Sequence, residues 1–301
     1  MSSSIKKIQQ AYKHCMAIAQ NHYENFPIAS QLLNRHLRYP ISAVYAFARS
    51  ADDFADEGNF TRSERLIFLN EYIAELEKIE CELKNHSPQN ENIFIHASNN
   101  SIFIALADVI HKFQIPVSLF YDLISAFKQD VNTTRYQSFN DIINYSQLSA
   151  NPVGQILLYL NKSASPENLN YSDAICTGLQ LINFYQDINQ DMVENDRLYL
   201  PLDEMAHYGV LINDLKKQLN NNQTQALMSF QLQRARKIYE SGKPLCANLT
   251  GRFAIEIRMI YAGGKLIFDK LEGNVASIYL RPRLSRTDRL KILWQGFFSS
   301  Y

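Results

Sequence analysis

Apolar side chains recur at spacings of three and four along nearly the whole chain, the period of a helix that buries one face. The pattern predicts helices over about 4–21, 40–57, 62–84, 98–113, 116–131, 138–161, 171–194, 222–241, 250–271 and 285–297. Thr61, with Glu64 three residues on, reads as a capping box at the head of the third helix, and Ser138 with Asp141 as a weaker variant. Pro152, after Asn151, falls inside a helical run. It predicts a kink there, because proline lacks an N–H and its ring crowds the preceding turn. The polar stretches 85–97 and 162–170 read as loops.

Composition agrees with helices. Only 10 Gly and 9 Pro punctuate 301 residues, and 46% apolar content with 17 Tyr and 17 Phe excludes disorder. A chain of this length can bury roughly three quarters of its unfolded surface, enough to wall a deep apolar cavity. With no repeat and no linker, the expectation is one all-α domain over 1–301. The 30 basic and 30 acidic side chains cancel, so no global field favours nucleic acid, and any anionic ligand must be held by local groups. Cys15, Cys81, Cys176 and Cys246 are scattered, which fits a reducing, cytoplasmic compartment better than a zinc site or a disulfide framework. No signal peptide and no transmembrane helix are expected. The apolar stretch from Ile292 to Phe298 leaves two accounts open, helix packing or peripheral contact with a membrane.

The candidate chemistry lies on two polar stripes. Each helical residue turns about 100°, so Tyr45, Arg49, Asp52 and Asp56, at i, i+4, i+7 and i+11, share one narrow face. Asp53 lies to its side, and Ala46, Phe47, Ala48 and Phe54 cover other faces. Gln180, Asn183, Asp187 and Asp191 form a second stripe, bordered by Leu181, Ile182, Phe184 and Ile188. A carboxylate on an apolar wall is costly unless paired or metal-bound. Mg²⁺ takes carboxylates, waters and substrate phosphates as ligands. Spacing alone leaves two accounts level, a metal–diphosphate site and an ordinary solvated face.

At these residues the sequence resembles the squalene/phytoene synthase family. The segments 45-YAFARSADDFAD-56 and 180-QLINFYQDINQD-191 are similar to its two signatures, over a stretch from about His22 to about Arg283. The segments 22-HYENFPIAS-30 and 183-NFYQDINQD-191 look most like its hydroxysqualene synthase branch in bacterial hopanoid biosynthesis. The resemblance implies a helical class I terpene synthase fold around a central apolar cavity. It also implies terpenoid chemistry in which two or three Mg²⁺ ions bridge an isoprenoid diphosphate. The implied metal ligands are Asp52, Asp56, Asn183, Asp187 and Asp191. Tyr45, Arg49 and Tyr145 are the implied catalytic residues. The implied substrate contacts are His22, Tyr45, Arg49, Gln180, Gln186, Arg197 and Tyr261. No NADPH step is implied, since no G-x-G-x-x-G fingerprint appears. Functional coupling to a presqualene diphosphate synthase and a hydroxysqualene reductase would follow.

Three departures qualify the match. Gln186 stands where the family usually has arginine, which points to one bound diphosphate rather than two. Glu24 lies within the N-terminal contact segment. Arg281 and Arg283 leave the C-terminal arginine pair displaced. The expected reaction is conversion of presqualene diphosphate and water to hydroxysqualene and diphosphate. The alternatives are head-to-head condensation of two farnesyl or geranylgeranyl diphosphates, or a non-catalytic assembly protein on the same fold. Plainer accounts also stand for single residues. Arg49 could pair with Asp52 or Asp53, Arg197 could neutralise Glu194 or Asp196, and Tyr145 and Tyr261 could be core tyrosines. Gln180 and Asn183 could bond between helices, and His22 could face solvent.

Overall fold

The computed structural model describes residues 3–21, 35–85, 98–194, 196–275 and 279–298. His22 and the segment after it, and residues 86–97 of the expected loop, lie outside the described residues. The chain divides into two compact units, Met1–Asn132 with Ile156–Ser163, and Thr133–Gln155 with Ala164–Tyr301.

The first unit holds α1 (Ser3–Asn21), a 3-10 turn at Arg35–Leu37, α2 (Arg38–Asp56), α3 (Arg62–Asn85), α4 (Ser101–Phe113) and α5 (Ser118–Asn132). Thr61 and Glu64 form the expected reciprocal cap, with Glu64 Oε2 accepting from Thr61 N at 2.8 Å and Thr61 Oγ1 accepting from Glu64 N at 3.3 Å. Asn100 caps α4 through a bond from Ile102 N at 2.9 Å. α2 is the central element and packs on α1, α3, α4 and α5. Its buried face is built from Ala43, Ala46, Ala51 and Ala55, small enough for close approach, around one large anchor, Phe47. Edge-on contacts to Phe103 and Phe120, with centroids 5.8 and 5.4 Å away, lock that ring into the core.

The second unit begins with β1 (Arg135–Tyr136) and α6 (Phe139–Ser149). Ser138 and Asp141 complete their capping box. The run expected as one helix over 138–161 is two, because the backbone breaks at Ala150 and restarts as α7 (Asn151–Leu160), with Pro152 in its first turn, where a missing N–H costs nothing. The seam between the units falls within α7. α8 (Pro166–Gln186) starts earlier than the sequence pattern gives. Ser165 caps it by accepting from Asn168 N at 3.2 Å and Pro166 fills its first turn, so half of the expected loop 162–170 is helix. α9 (Ile188–Glu194) follows after a break at Asp187, which divides the helix expected over 171–194.

Next come β2 (Leu198–Pro201), α10 (Leu202–His207), α11 (Ile212–Lys216), α12 (Asn222–Ser241), α13 (Leu245–Asn248), α14 (Gly251–Glu272) and α15 (Arg286–Phe298). The three shortest helices and the parallel β1–β2 pair were not expected, since segments this short carry no readable period. The fold is all-α. α8 is the hub of its unit, packing on α6, α12, α13, α14 and β2. A polar chain also ties it to α12 and α10. Tyr185 donates to Gln231 at 3.1 Å, and Arg234 forks onto the Glu204 carboxylate at 2.6 and 2.7 Å.

α8 and α12 meet closely at Gly178, where an added Cβ would lie 2.6 Å from the Tyr239 Cβ and 2.9 Å from its Cα. Backbone cannot yield as a side-chain tip can. Gly178→Ala is expected to lose about 1–2 kcal/mol net, after the ~1 kcal/mol that alanine gains in a helix. Urea midpoints at equal slope would measure this, and an unchanged midpoint would show that the helices separate freely here.

Candidate active site

In the first unit the aspartate stripe lies opposite the alanine face of α2. Arg49 is its organising charge. Its Nη1 lies 3.4 Å from Asp52 Oδ2, its Nη2 lies 2.8 Å from Asp53 Oδ1, and Nη2 also reaches Glu57. The helix ion pair therefore exists, and it draws the guanidinium toward Asp53 and Glu57. Asp52 is left under-neutralised. Burial first, and then the Asp56 charge, push its carboxyl up to about 6 against the opposing pull of Arg49. Burial raises the Tyr45 phenol as well, with Arg49 opposing it. The end of α2 is held by Arg65, which the sequence reading did not single out. Its guanidinium donates to the carbonyls of Phe54 (2.9 Å), Glu57 (3.0 Å) and Gly58 (2.9 Å), satisfying a helix C-terminus that would otherwise fray beside Asp56.

In the second unit the stripe runs across the break between α8 and α9. Asp187 N donates to Asn183 O at 2.9 Å and Asp191 N to Asp187 O at 2.8 Å, so helical spacing survives the break and both carboxylates stay on one side. Gln180 is half-buried and Asn183 exposed on the turns ahead of them. Burial raises Asp187, and Arg281 opposes this. Asp191 is pushed up to about 7, by burial first and then by Asp187, while Arg197 and Arg281 pull it down. The charge of Arg197 thus acts on Asp191, and its N–H donates to the Asp191 carbonyl at 3.0 Å. Asp196 is instead held by Arg135 at 2.8 Å and Lys216 at 3.2 Å.

Arg281 is the principal addition to the residues expected. From the segment before α15, its Nη2 donates to Asp187 Oδ2 at 3.1 Å, and its Nε lies 2.7 Å from Oδ1, off the hydrogen-bond line. Gln186 fastens the same segment, its Nε2 donating to the Pro282 carbonyl at 2.9 Å. The Tyr279 hydroxyl donates to Leu219 O at 3.1 Å. A neutral amide on the helix and an arginine from 94 residues away in sequence thus stand together beside Asp187.

An aromatic shelf packs around Phe184, one helical turn before Asp187. β1 and β2 bring Tyr136 and Tyr199 together, and Phe184 stacks on Tyr199 with centroids 3.8 Å apart. Tyr145 completes the shelf, 6.0 Å from Phe184 and 5.8 Å from Tyr199. Tyr136 and Tyr199 escaped the sequence reading because nothing in the chain showed that two short strands would pair. Tyr261 lies in the core, stacked on Tyr239 at 4.8 Å. Among the described residues, no group of three or more His, Cys, Asp or Glu could hold a metal ion by itself. Magnesium does not need one, since water and phosphate oxygens complete its shell.

A family model described as squalene/phytoene synthase matches residues 19–290. The hydroxysqualene synthase of Zymomonas mobilis is 32% identical over 216 residues, covering 71% of this chain and 67% of that one. The phytoene synthase of Mycobacterium bovis is 28% identical over 278 residues, covering 88% and 86%. The crystal structure of squalene synthase HpnC from Alicyclobacillus acidocaldarius superposes with a TM-score of 0.79 at 27% identity, over 89% of this chain and 95% of that one.

The raised Asp191 carboxyl has a consequence for stability. The folded chain holds this proton more tightly than the unfolded chain does. Its stabilising contribution is therefore complete below the ordinary carboxylate range and is lost as pH rises through about 7. Asp191→Asn stays neutral. It is expected to raise the thermal midpoint of the metal-free chain by a few degrees at about pH 8, with the difference vanishing near about pH 4. Calorimetry of both proteins at the two pH values checks this, and identical midpoints at the higher pH would contradict it.

Proposed function

We propose, for a chain that belongs to the squalene/phytoene synthase family and is an isoprenoid synthase, that its reaction converts presqualene diphosphate and water to hydroxysqualene and diphosphate, a step of hopanoid biosynthesis. The observation that carries this reading is Gln186. Where the family usually has an arginine, the helix offers a neutral amide, and that amide is committed to the Pro282 carbonyl. Arg281 in turn is committed to Asp187. With Gln186 neutral and Arg281 held by Asp187, the charge of Arg197 beside Asp191 suits one bound diphosphate better than two. The hydroxysqualene synthase relatives support the same reading.

The donor set fits magnesium. Asp52 and Asp56 in one unit, and Asn183, Asp187 and Asp191 in the other, offer only hard oxygen ligands. Asp52 and Asp191 retain protons up to about 6 and about 7, which marks negative charge that their own surroundings do not settle. Bound magnesium would supply neutralisation of the departing diphosphate. Tyr45 and Arg49 serve the first pair as diphosphate contacts, and Gln180 and Arg197 serve the second. The C–O bond breaks with both electrons leaving on the diphosphate. Tyr145, Phe184, Tyr199 and Tyr136, buried and stacked together, form an apolar wall beside the second pair that keeps stray water away. The cyclopropylcarbinyl cation rearranges by migration of a ring bond, and the oxygen of one water then bonds to carbon as the ring opens, its proton passing to solvent.

A second reading, condensation of two farnesyl diphosphates, is favoured by Arg281. Once released from Asp187, it would provide the additional cation that two anionic substrates need. Incubation with presqualene diphosphate and Mg²⁺, and separately with farnesyl diphosphate, distinguishes the two. The first reading expects hydroxysqualene from the former and no lipid product from the latter. Presqualene diphosphate or dehydrosqualene formed from farnesyl diphosphate would overturn it. Asp52→Ala and Asp187→Ala should each lower kcat/KM by about 10²-fold or more, since metal-borne charge stabilisation is worth several kcal/mol. Arg281→Ala should tighten Mg²⁺ binding about 2–5-fold in the absence of substrate, because a half-exposed ion pair is worth up to ~1 kcal/mol. Titration calorimetry reads this directly, and weaker binding would show that Arg281 does not compete with the metal.

A further inference from the structure

α15 has two faces of unlike use. One is packed on α14 through Asp288, Ile292 and Gly296. At Gly296 an added Cβ would lie 2.4 Å from Met259 Cγ, so the helix is seated as closely as its backbone allows. The opposite face carries Leu290, Leu293, Trp294, Phe297 and Phe298, at i, i+3, i+4, i+7 and i+8. These side chains are 66%, 42%, 62%, 48% and 73% exposed. A single exposed apolar residue needs no explanation, but a continuous stripe of five on a helix whose packing face is already satisfied does.

Charge identifies the occupant. At 100° per residue, Arg289 and Lys291 flank the stripe on its two sides and Arg286 stands at its N-terminal end, all three exposed. The one acid of the helix, Asp288, is turned inward, accepting from Ser285 and lying 3.0 Å from Lys270. An aromatic and aliphatic face bordered by cations, with tryptophan on it, is the pattern of a helix lying in a bilayer interface. A second copy fits poorly. A 13-residue helix is about 20 Å long, too short to supply alone the ~800 Å² per partner of a stable dimer, and a two-fold contact would set cations beside cations. No helix among the described residues is long and apolar enough to cross a membrane. We infer that α15 docks the protein on the surface of a lipid bilayer bearing anionic headgroups, its Leu290–Phe298 stripe entering the interface while Arg286, Arg289 and Lys291 meet the headgroups.

Trp294 is the only tryptophan of the chain and lies on the face in question, so it reports directly. The intact protein is mixed with vesicles of phosphatidylcholine alone or with phosphatidylglycerol added, and no substrate is present. Anionic vesicles are expected to shift Trp294 emission to the blue and to sediment the protein. Raising the salt should weaken this, and acyl-brominated lipid should quench the emission. Leu293→Glu/Phe297→Glu should reduce co-sedimentation at least ~10-fold with an unchanged thermal midpoint. The quenching of the unsubstituted protein stands independently if that variant does not fold. Emission and sedimentation indifferent to anionic vesicles would overturn the inference. So would a blue shift that grows with protein concentration without lipid, together with a doubled mass, since a second copy would then cover the face. Because no turnover is measured, either result leaves the proposed reaction standing or falling on its own assay.

Discussion

Like charges held on half-buried helix faces are the constraint around which this protein is arranged. A carboxylate one helical turn from another loses hydration and gains repulsion together, and the raised Asp52 and Asp191 are the result. Such groups stay in place only on elements that cannot relax away from them. The chain puts each pair on the most enclosed helix of its unit, α2 in one and α8 leading into α9 in the other. Arginines then moderate the repulsion without cancelling it, Arg49 in the first unit, Arg197 and Arg281 in the second.

The surrounding structure follows from the need for rigidity. Phe47 sits edge-on between two other rings so that α2 cannot rotate its stripe. Arg65 ties down the carbonyls at the end of that helix. α8 is pinned by glycine-close contact with α12 and by the Tyr185–Gln231–Glu204–Arg234 chain. The metal-dependent ionisation proposed above would rely on charges already in place when the leaving group departs, and scaffolding of this kind supplies them.

Much of this was legible in the chain because it is local. Helical period, the Thr61 and Ser138 caps, and the i, i+7, i+11 placement of the aspartates all concern residues within a few turns of one another. What escaped is long-range. Arg281 meets Asp187 only because the segment before α15 returns to the end of α8. Tyr136 and Tyr199 meet Phe184 only because two very short strands pair. The break at Asp187 was hidden because the hydrogen bonds across it keep helical spacing. The apolar ending posed a choice between packing and membrane contact, and α15 divides it: Ile292 and Gly296 pack, while Trp294 and Phe298 remain outside.

The Arg281 contact has one more consequence. Tyr279, Arg281 and Pro282 belong to the short stretch that leads into α15, so the cation that meets Asp187 and the surface helix are carried on one piece of chain. Trimming that piece to obtain a tidier protein for crystallisation would leave both aspartate pairs intact while deleting a charge that belongs to one of them. Inactivity in a shortened protein of that kind would combine the lost Arg281 charge with the lost packing of α15 on α14, two effects that the single substitution Arg281→Ala separates.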